Sequence, residues 1–147
     1  MDYGLAESEI IEIVSKSSNK LEKIVDYLYE NFNHYSWVGI YLVEGTDLLL
    51  GPWRGEQATE HVKIPIGTGV CGSAAATGRT EIIPDVNADK RYLSCFVSTK
   101  SEIVVPIKKN GKIIGEIDID SKIPNAFDKK DALFLGKIAD MLALHIC

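Results

Sequence analysis

Cysteine thiols are the first side chains of this sequence that could carry out chemistry. Cys71 stands at the start of a short predicted helix, where the positive end of the helix dipole lowers the pKa of a thiol and favours the reactive thiolate. Cys95 lies in a long polar segment, where we expect it to be exposed. A cysteine is often no more than a small buried hydrophobic residue, and that alternative stays open for both. We expect no chemistry from Cys147, which ends the chain.

Carboxylates form the second candidate group, in the segment Gly115–Ser121. Side chains alternate along a strand, so Glu116, Asp118 and Asp120 share one face and the isoleucines between them point to the other. Like charges this close raise at least one pKa, which keeps a proton available for acid catalysis. Glu102 begins the predicted partner strand and extends the cluster. The alternative is an exposed strand near a sheet edge, with carboxylates that are merely solvated.

Aromatic residues could wall a ligand pocket. Trp37, Tyr41 and Trp53 alternate with aliphatic residues near a glycine-rich bend, although tryptophan in a strand is also common in a core. The run Gly67–Gly72 is a weak match to a phosphate-binding loop, because it lacks the lysine and the βαβ setting of such loops. The histidines have no pair at metal-ligand spacing, so we expect neither a metal site nor a cofactor.

Hydrophobic periodicity predicts the elements that position these residues. In chain order the first are two helices separated by a break at Ser15–Asn19, a hairpin of Trp37–Val43 with Leu48–Leu50, and an interruption at Gly51–Gly55. A strand at Val62–Ile66, a short helix at Val70–Thr77, a strand at Glu81–Ile83 and a long loop at Asp85–Lys100 follow. The last are a hairpin of Glu102–Ile107 with Ile113–Ile119 and a helix capped by Asp128. Strands joined by hairpins, with helices at both chain ends, indicate an α+β fold. We expect an antiparallel β-sheet with the N- and C-terminal helices packed on one face and a ligand pocket on the other.

Composition limits the class of protein. With 147 residues, 46% hydrophobic and 25% charged, residues 1–147 fit a single soluble domain. The net charge of −5 argues against nucleic-acid binding. The chain has no apolar stretch long enough to span a membrane and no signal-peptide pattern, so we expect a cytoplasmic location. Three widely spaced cysteines are not a disulfide framework.

Several motifs together resemble one known family. They are Gly51–Trp53, Ile64–Ala74, Pro84–Val86, Ser101–Pro106 and Gly115–Ser121. In this order and at these separations they are similar to the free methionine-(R)-sulfoxide reductases, which are small stand-alone GAF-domain enzymes. The resemblance spans residues 20–140 and implies a single GAF domain with a GAF-like sheet and terminal helices on one face.

The resemblance also implies a mechanism. Cys95 matches the nucleophilic cysteine, and Cys71 matches a cysteine that can take part in the thiol–disulfide cycle. A thiolate attacks the sulfoxide, and the resulting sulfenic acid condenses with a second thiol to a disulfide. A thioredoxin-like dithiol then reduces that disulfide. The family's acidic residues that hold the substrate and its sulfoxide group are matched by Glu102, Asp118 and Asp120, and its aromatic residues at the substrate methyl lie near Trp37 and Trp53.

The sequence departs from the family pattern at two places. A third cysteine, commonly the recycling thiol, usually precedes the Ile-Pro strand, but this chain has Gln57–Lys63 there, with His61 near that place. Glu116 stands where the family prefers an aliphatic residue. The missing thiol bears on the recycling step, and it keeps a second function open, a non-catalytic GAF module that senses a small molecule or forms a homodimer.

Overall fold

The computed structural model describes residues 2–92 and 98–146, so Cys95 and Cys147 lie outside the described residues. The elements are α1 (Tyr3–Lys16), α2 (Lys20–Asn31), β1 (Trp37–Glu44), β2 (Asp47–Gly55), β3 (Lys63–Pro65), α3 (Gly69–Thr77), β4 (Glu81–Ile83), β5 (Ser101–Lys109), β6 (Lys112–Ser121) and α4 (Lys129–Ala143). A single 3₁₀ turn, Val86–Ala88, follows β4. The predicted order of helices and strands is therefore confirmed. None of the described helices has the length and apolar character needed to cross a membrane.

The six strands form one antiparallel sheet in the order β3-β2-β1-β6-β5-β4. The acidic strand β6 lies between β1 and β5, with Asp120 opposite Trp37 on one side and opposite Glu102 on the other. The alternative of an exposed strand near an edge is therefore wrong, because both flanks of β6 are paired.

One face of the sheet is covered by the terminal helices, as predicted. Ile117 and Ile119 point to this face and lie in a hydrophobic core with the buried sides of α1, α2 and α4. Each such buried side chain contributes roughly 1.5–3 kcal/mol to stability. The final helix begins at the expected cap, because Asp128 accepts hydrogen bonds from the backbone N–H groups of Lys130 and Asp131. The α+β fold class is confirmed.

The opposite face carries α3 and a second hydrophobic cluster that includes Leu48, Ile64, Val70 and Val104. α3 ends at Gly78 in a left-handed conformation, with φ of 70°. Gly72 allows the helix to approach the β3–α3 turn closely, since a Cβ there would lie 2.6 Å from the carbonyl oxygen of Pro65. This contact fixes the first turn of α3, which carries Cys71, on the acidic face.

The segment Gly51–Gly55 differs from its prediction, because it continues β2. Gly39 of β1 pairs with Trp53, and Tyr41 pairs with Leu50, so two residues of β2 stand against one of β1. This irregularity is a β-bulge that absorbs Gly51 and Pro52 without ending the strand.

Candidate active site

Four carboxyl groups converge on the α3 side of the sheet. Glu116, Asp118 and Asp120 come from β6 and Glu102 comes from β5, and each is at most 5% exposed. Their shared face follows from strand alternation, as predicted, because the isoleucines between them lie in the helix-side core. The cluster is therefore buried in the middle of the sheet.

The Cys71 thiol, in the first turn of α3, lies next to this cluster. Its sulfur lies 3.9 Å from Oε2 of Glu102, and the sulfur, a Glu102 oxygen and an Asp118 oxygen are all within 4.8 Å of one another. Within residues 2–92 and 98–146, this is the one group with the spacing that a metal ion would need. Histidine spacing could not indicate this group, because it contains no histidine and its three residues belong to three different elements.

The prediction of a lowered pKa for Cys71 is wrong. Burial raises the pKa of this thiol well above its usual range, and Asp118, Glu102, Glu116 and Asp120 add to the rise by charge repulsion. A helix N-terminus typically contributes about 0.3–1 kcal/mol to a nearby charge. Full burial can shift a pKa by about 3–5 units, each worth about 1.4 kcal/mol, so burial wins.

The pKa values of the cluster carboxyl groups are raised, as predicted. Burial raises the pKa of Glu102 well above its usual range, and repulsion from Asp118 and Asp120 adds to the rise. Burial also raises the pKa of Asp118, although hydrogen bonds from Glu102 and Cys71 oppose that rise. The hydrogen bonds with Asp118 and Asp120 raise the pKa of Glu102 further and oppose the rise at the two aspartates, which is the pattern of a Glu102 carboxyl group that donates to both.

Several carboxylate oxygens of the cluster are able to accept further hydrogen bonds. Among the described residues, both carboxylate oxygens of Glu116, Oδ1 of Asp118 and Oδ1 of Asp120 are buried without a hydrogen-bond partner. Burial raises the pKa of Asp120, and a side-chain hydrogen bond with Thr99 opposes that rise. Buried unpartnered oxygens are costly, so this arrangement suits a ligand that brings its own donors, such as an ammonium group.

Two clefts reach the cluster. The outer cleft, of about 350 Å³, is lined by Ser36, Trp37, Glu56, Gln57, Ser98, Thr99, Asp120 and Lys122. The inner cleft, of about 260 Å³, is lined by Tyr41, Ile64, Val70, Cys71, Tyr92, Glu102 and Asp118. Asp120 therefore faces the outer cleft, while Asp118 and the Cys71 thiol face the inner one.

The three candidate aromatic residues have different positions. The indole of Trp37 is buried and lies across Gly39 and Gly55, since a Cβ at either glycine would come within 2.3 Å of the ring. The Tyr41 hydroxyl donates a 2.7 Å hydrogen bond to the carbonyl of His61. Trp53 stacks against Trp37 with ring centroids 6.2 Å apart, is 37% exposed, and does not line either cleft.

Among the cleft residues that sequence reasoning missed are two from one long segment. Thr99 contacts Asp120, and Tyr92 lines the inner cleft, but both belong to the segment Asp85–Lys100. This segment has no hydrophobic period, so its length was the sole signal that it serves a site.

Comparison with known proteins places the chain in a family. The GAF domain model matches residues 19–146, and the protein therefore belongs to the GAF domain family.

Within that family, the resemblance to free methionine-(R)-sulfoxide reductases is confirmed. The chain is 43% identical to the free methionine-R-sulfoxide reductase of Saccharomyces cerevisiae over 73% of this chain and 61% of that protein. It is 38% identical to the Escherichia coli protein of the same name, over 78% of this chain and 68% of the relative. The structure of free methionine-R-sulfoxide reductase from Neisseria meningitidis in complex with its substrate superposes with a TM-score of 0.90 at 37% identity, covering 97% and 86% of the two chains.

Proposed function

We propose that this protein reduces free L-methionine-(R)-sulfoxide to methionine. The observation that carries the proposal is the buried group of Glu102, Asp118 and Asp120 beside the Cys71 thiol. The relatives that bear the reductase name, one of them with its substrate bound, support the choice of substrate. The free thiol of Cys71 suits a reducing compartment, so we propose the cytoplasm as its location.

Binding of the substrate follows from charge and shape. The ammonium group of a free amino acid brings three donors, which the unpartnered oxygens of Asp118 and Asp120 can accept. The methyl group needs an apolar wall, which Trp37 offers in the outer cleft and Tyr41 in the inner one. Trp53 supports this wall from behind through its stack on Trp37.

The first chemical step is an oxygen transfer. The Cys95 thiolate attacks the sulfoxide sulfur to form an S–S bond, and the sulfoxide oxygen takes a proton from Glu102 or Asp120. The resulting hydroxyl group then moves from the methionine sulfur to the Cys95 sulfur, the S–S bond breaks with its electron pair on the methionine sulfur, and methionine leaves with Cys95 as a sulfenic acid. A carboxyl group with a raised pKa is the required acid, and burial raises the pKa values of Glu102 and Asp120 well above their usual range.

The second step regenerates the enzyme. Cys71 condenses with the sulfenic acid to form a disulfide and water, and a thioredoxin-like dithiol reduces the disulfide by exchange. Cys71 takes this role here because His61, which stands near the place of the third family cysteine, cannot form a disulfide.

The test is consumption of the two epimers of free methionine sulfoxide by the pure protein with dithiothreitol. We expect the R epimer to be reduced and the S epimer to be left. Mass spectrometry after one equivalent of substrate, without reductant, should find a Cys71–Cys95 disulfide. Cys95→Ser should release no methionine, whereas Cys71→Ser should release about one per protein. Consumption of neither epimer would favour the non-catalytic sensor module instead.

A further inference from the structure

Three buried side chains on the α3 side of the sheet have the composition and spacing of a metal site. They are Cys71 of α3, Glu102 of β5 and Asp118 of β6, and each is at most 7% exposed. The Cys71 sulfur lies 3.9 Å from Oε2 of Glu102, and the sulfur and one oxygen of each carboxyl group all lie within 4.8 Å of one another. Ligand atoms that share one Zn²⁺ ion are separated by roughly 3–4 Å, so small side-chain movements close the site.

One oxygen of Asp118 has no partner at this point. Its Oδ1 is buried and accepts no hydrogen bond among the described residues. Asp118, Glu102 and Cys71 all line the inner cleft, so a small ligand in that cleft is next to all three. Because an unpartnered buried oxygen lowers stability, the unused Oδ1 indicates that a ligand belongs there.

The charge of the group is also uncompensated. The ion pairs of the described residues do not include Glu102, Asp118 or the neighbouring acids Glu116 and Asp120. Buried charges in proteins are normally paired or bind a metal ion. A divalent cation beside the thiol would therefore reduce the repulsion within the cluster.

The chemistry of the three ligands indicates the kind of cation. A thiolate is a soft ligand that selects Zn²⁺ and similar transition-metal ions over Mg²⁺ and Ca²⁺, which prefer oxygen ligands. Three protein ligands leave the fourth tetrahedral position to a water molecule. Histidine spacing, which predicts no metal site in this sequence, does not apply to this group, since the group contains no histidine.

We propose that Cys71, Glu102 and Asp118 bind one Zn²⁺ ion in the inner cleft. Zn²⁺ replaces the proton of the thiol and any proton on the two carboxyl groups, and these protons leave to solvent without transfer of electrons. The ligands come from rigid elements, because β5 and β6 are paired along their length and Gly72 brings α3 close to the β3–α3 turn.

A bound Zn²⁺ ion would inhibit the proposed reductase. The proposed reaction uses Asp118 to hold the substrate ammonium group, Glu102 to supply a proton and Cys71 to resolve the sulfenic acid. Zn²⁺ occupies the same atoms, so the ion and the substrate exclude each other. This inhibition rests on the proposed function, whereas the binding of Zn²⁺ does not.

The experiment uses Co²⁺ as a spectroscopic substitute for Zn²⁺, because a cobalt–thiolate bond gives a charge-transfer absorption band. The variant Cys95→Ser/Cys147→Ser, which keeps Cys71 as its single thiol, is reduced, freed of metal with a chelator and titrated with Co²⁺ and then with Zn²⁺. Cys71→Ser and Asp118→Asn are each added to this single-thiol variant. Glu44→Gln, an exposed change at the end of β1, is the matched control. Thermal unfolding without metal shows whether each variant is folded.

We expect the single-thiol variant to bind one Co²⁺ ion per chain with the thiolate band. Zn²⁺ should displace this ion, and a large excess of Mg²⁺ should not. Cys71→Ser should abolish the band and weaken Zn²⁺ binding by about 10²-fold or more, and Asp118→Asn should weaken it by about 10-fold or more, since loss of an outer-shell partner alone costs about 10–100-fold. Glu44→Gln should leave the affinity within about two-fold. Zn²⁺ should also raise the Tm of the single-thiol variant but not that of Cys71→Ser.

Each ligand variant tests the site by itself. The proposal is overturned if the folded single-thiol variant shows no thiolate band, if the band persists in Cys71→Ser, or if the folded Asp118→Asn variant binds Zn²⁺ as tightly as the control. A band that the parent shows and the single-thiol variant lacks overturns it as well, because the sulfur ligand is then another cysteine.

Failure of the proposed function is measured separately. The parent is mixed with one equivalent of free L-methionine-(R)-sulfoxide without reductant, before and after loading with Zn²⁺. We expect about one methionine per protein before loading, none after it, and recovery when a chelator removes the ion. If the parent releases no methionine in either state, the reductase assignment falls and the zinc site stands on the titrations. Equal release in both states would overturn the inhibition and leave the reductase assignment intact.

Discussion

Buried carboxyl groups occupy both sides of the sheet, in opposite electrostatic states. On the α3 side, burial raises the pKa values of Glu102, Glu116 and Asp120. On the helix side, Asp131 is also buried, at 2% exposed, yet its pKa is lowered to about 2. Burial disfavours the charged carboxylate in both places, so another interaction decides whether the pKa is raised or lowered.

The difference is the number of donors. Oδ1 of Asp131 accepts hydrogen bonds from the hydroxyls of Tyr3 and Tyr35, at 2.9 and 2.7 Å, and lies 3.2 Å from Nε2 of His34. Its Oδ2 accepts from the backbone N–H of Asp128 at 3.0 Å, which completes the capping box of α4. These bonds outweigh the burial that acts against them. A carboxylate with its donors in place stabilises the fold, and one without them is available to a ligand.

The largest expected effect is on kcat, which substitutions in the acidic cluster should lower and a substitution of Asp131 should not. Asp120→Asn and Glu102→Gln should each lower kcat by about 10² or more, because an amide keeps the size but cannot deliver a proton. Asp131→Asn should leave kcat within a few-fold, since the sheet lies between it and the clefts. Steady-state assays with the R epimer check this. Near-normal turnover in both cluster variants would make the acids structural.

The next prediction concerns stability, for which we expect the larger loss at Asp131 and the smaller one in the acidic cluster. Asp131→Asn should lower the free energy of unfolding by about 2–3 kcal/mol, because it leaves buried donors without their anion. Asp118→Asn should change it little or raise it by about 1 kcal/mol, because it removes charge repulsion in the cluster. Urea unfolding at neutral pH measures both. A larger loss in Asp118→Asn than in Asp131→Asn would contradict the donor account.

The two carboxyl centres should affect the pH dependence of the free energy of unfolding in opposite directions. The folded pKa of Asp131 lies below its ordinary value of 3.8, so its contribution is complete above pH 5 and is lost as the pH falls from about 4 to about 2. A shift of this size is worth about 2 kcal/mol. The cluster acids have raised pKa values, so they destabilise the ionised native state and stability rises as the pH falls from neutral toward 4. Unfolding free energies from pH 8 to pH 2 should therefore pass through a maximum in mild acid, and Asp131→Asn should flatten the acid limb.

The smallest expected effect tests one donor. Tyr3→Phe removes a single hydroxyl from Asp131 and should lower the free energy of unfolding by about 1 kcal/mol. It should also raise the pKa of Asp131, because the Tyr3 hydrogen bond helps to lower it. Carboxyl NMR titration measures that pKa, and Tyr29→Phe, a half-buried tyrosine outside this network, is the control. An unchanged Asp131 titration would exclude Tyr3 as a contributor.

Local patterns predicted the elements well. The Asn110–Gly111 pair lies between β5 and β6 with positive φ at both residues, as its hairpin signal requires. Alternation along β6 placed three carboxylates on one face. Such features depend on neighbours in sequence, which a single chain displays directly.

Features that depend on distant residues were not predicted. Burial raises the pKa of Cys71 and acids 31 to 49 residues away add to the rise, so the direction of the shift could not be taken from the helix start alone. The Asp131 centre was missed because Tyr3 is 128 residues from it. The sequence likewise gives no measure of how Gly51 and Pro52 fit into a bulge until the register of β1 is known.

The two glycines beneath Trp37 set the size of the outer cleft. Any side chain at Gly39 or Gly55 would occupy the space of the indole ring, so the ring would have to move away from the sheet, toward the cleft that it lines. Alanine at either position would thus make the opening smaller without altering one charged group. Substitution of these glycines therefore restricts the outer cleft to smaller sulfoxides from residues that line neither cleft, while the acids and thiols stay unchanged.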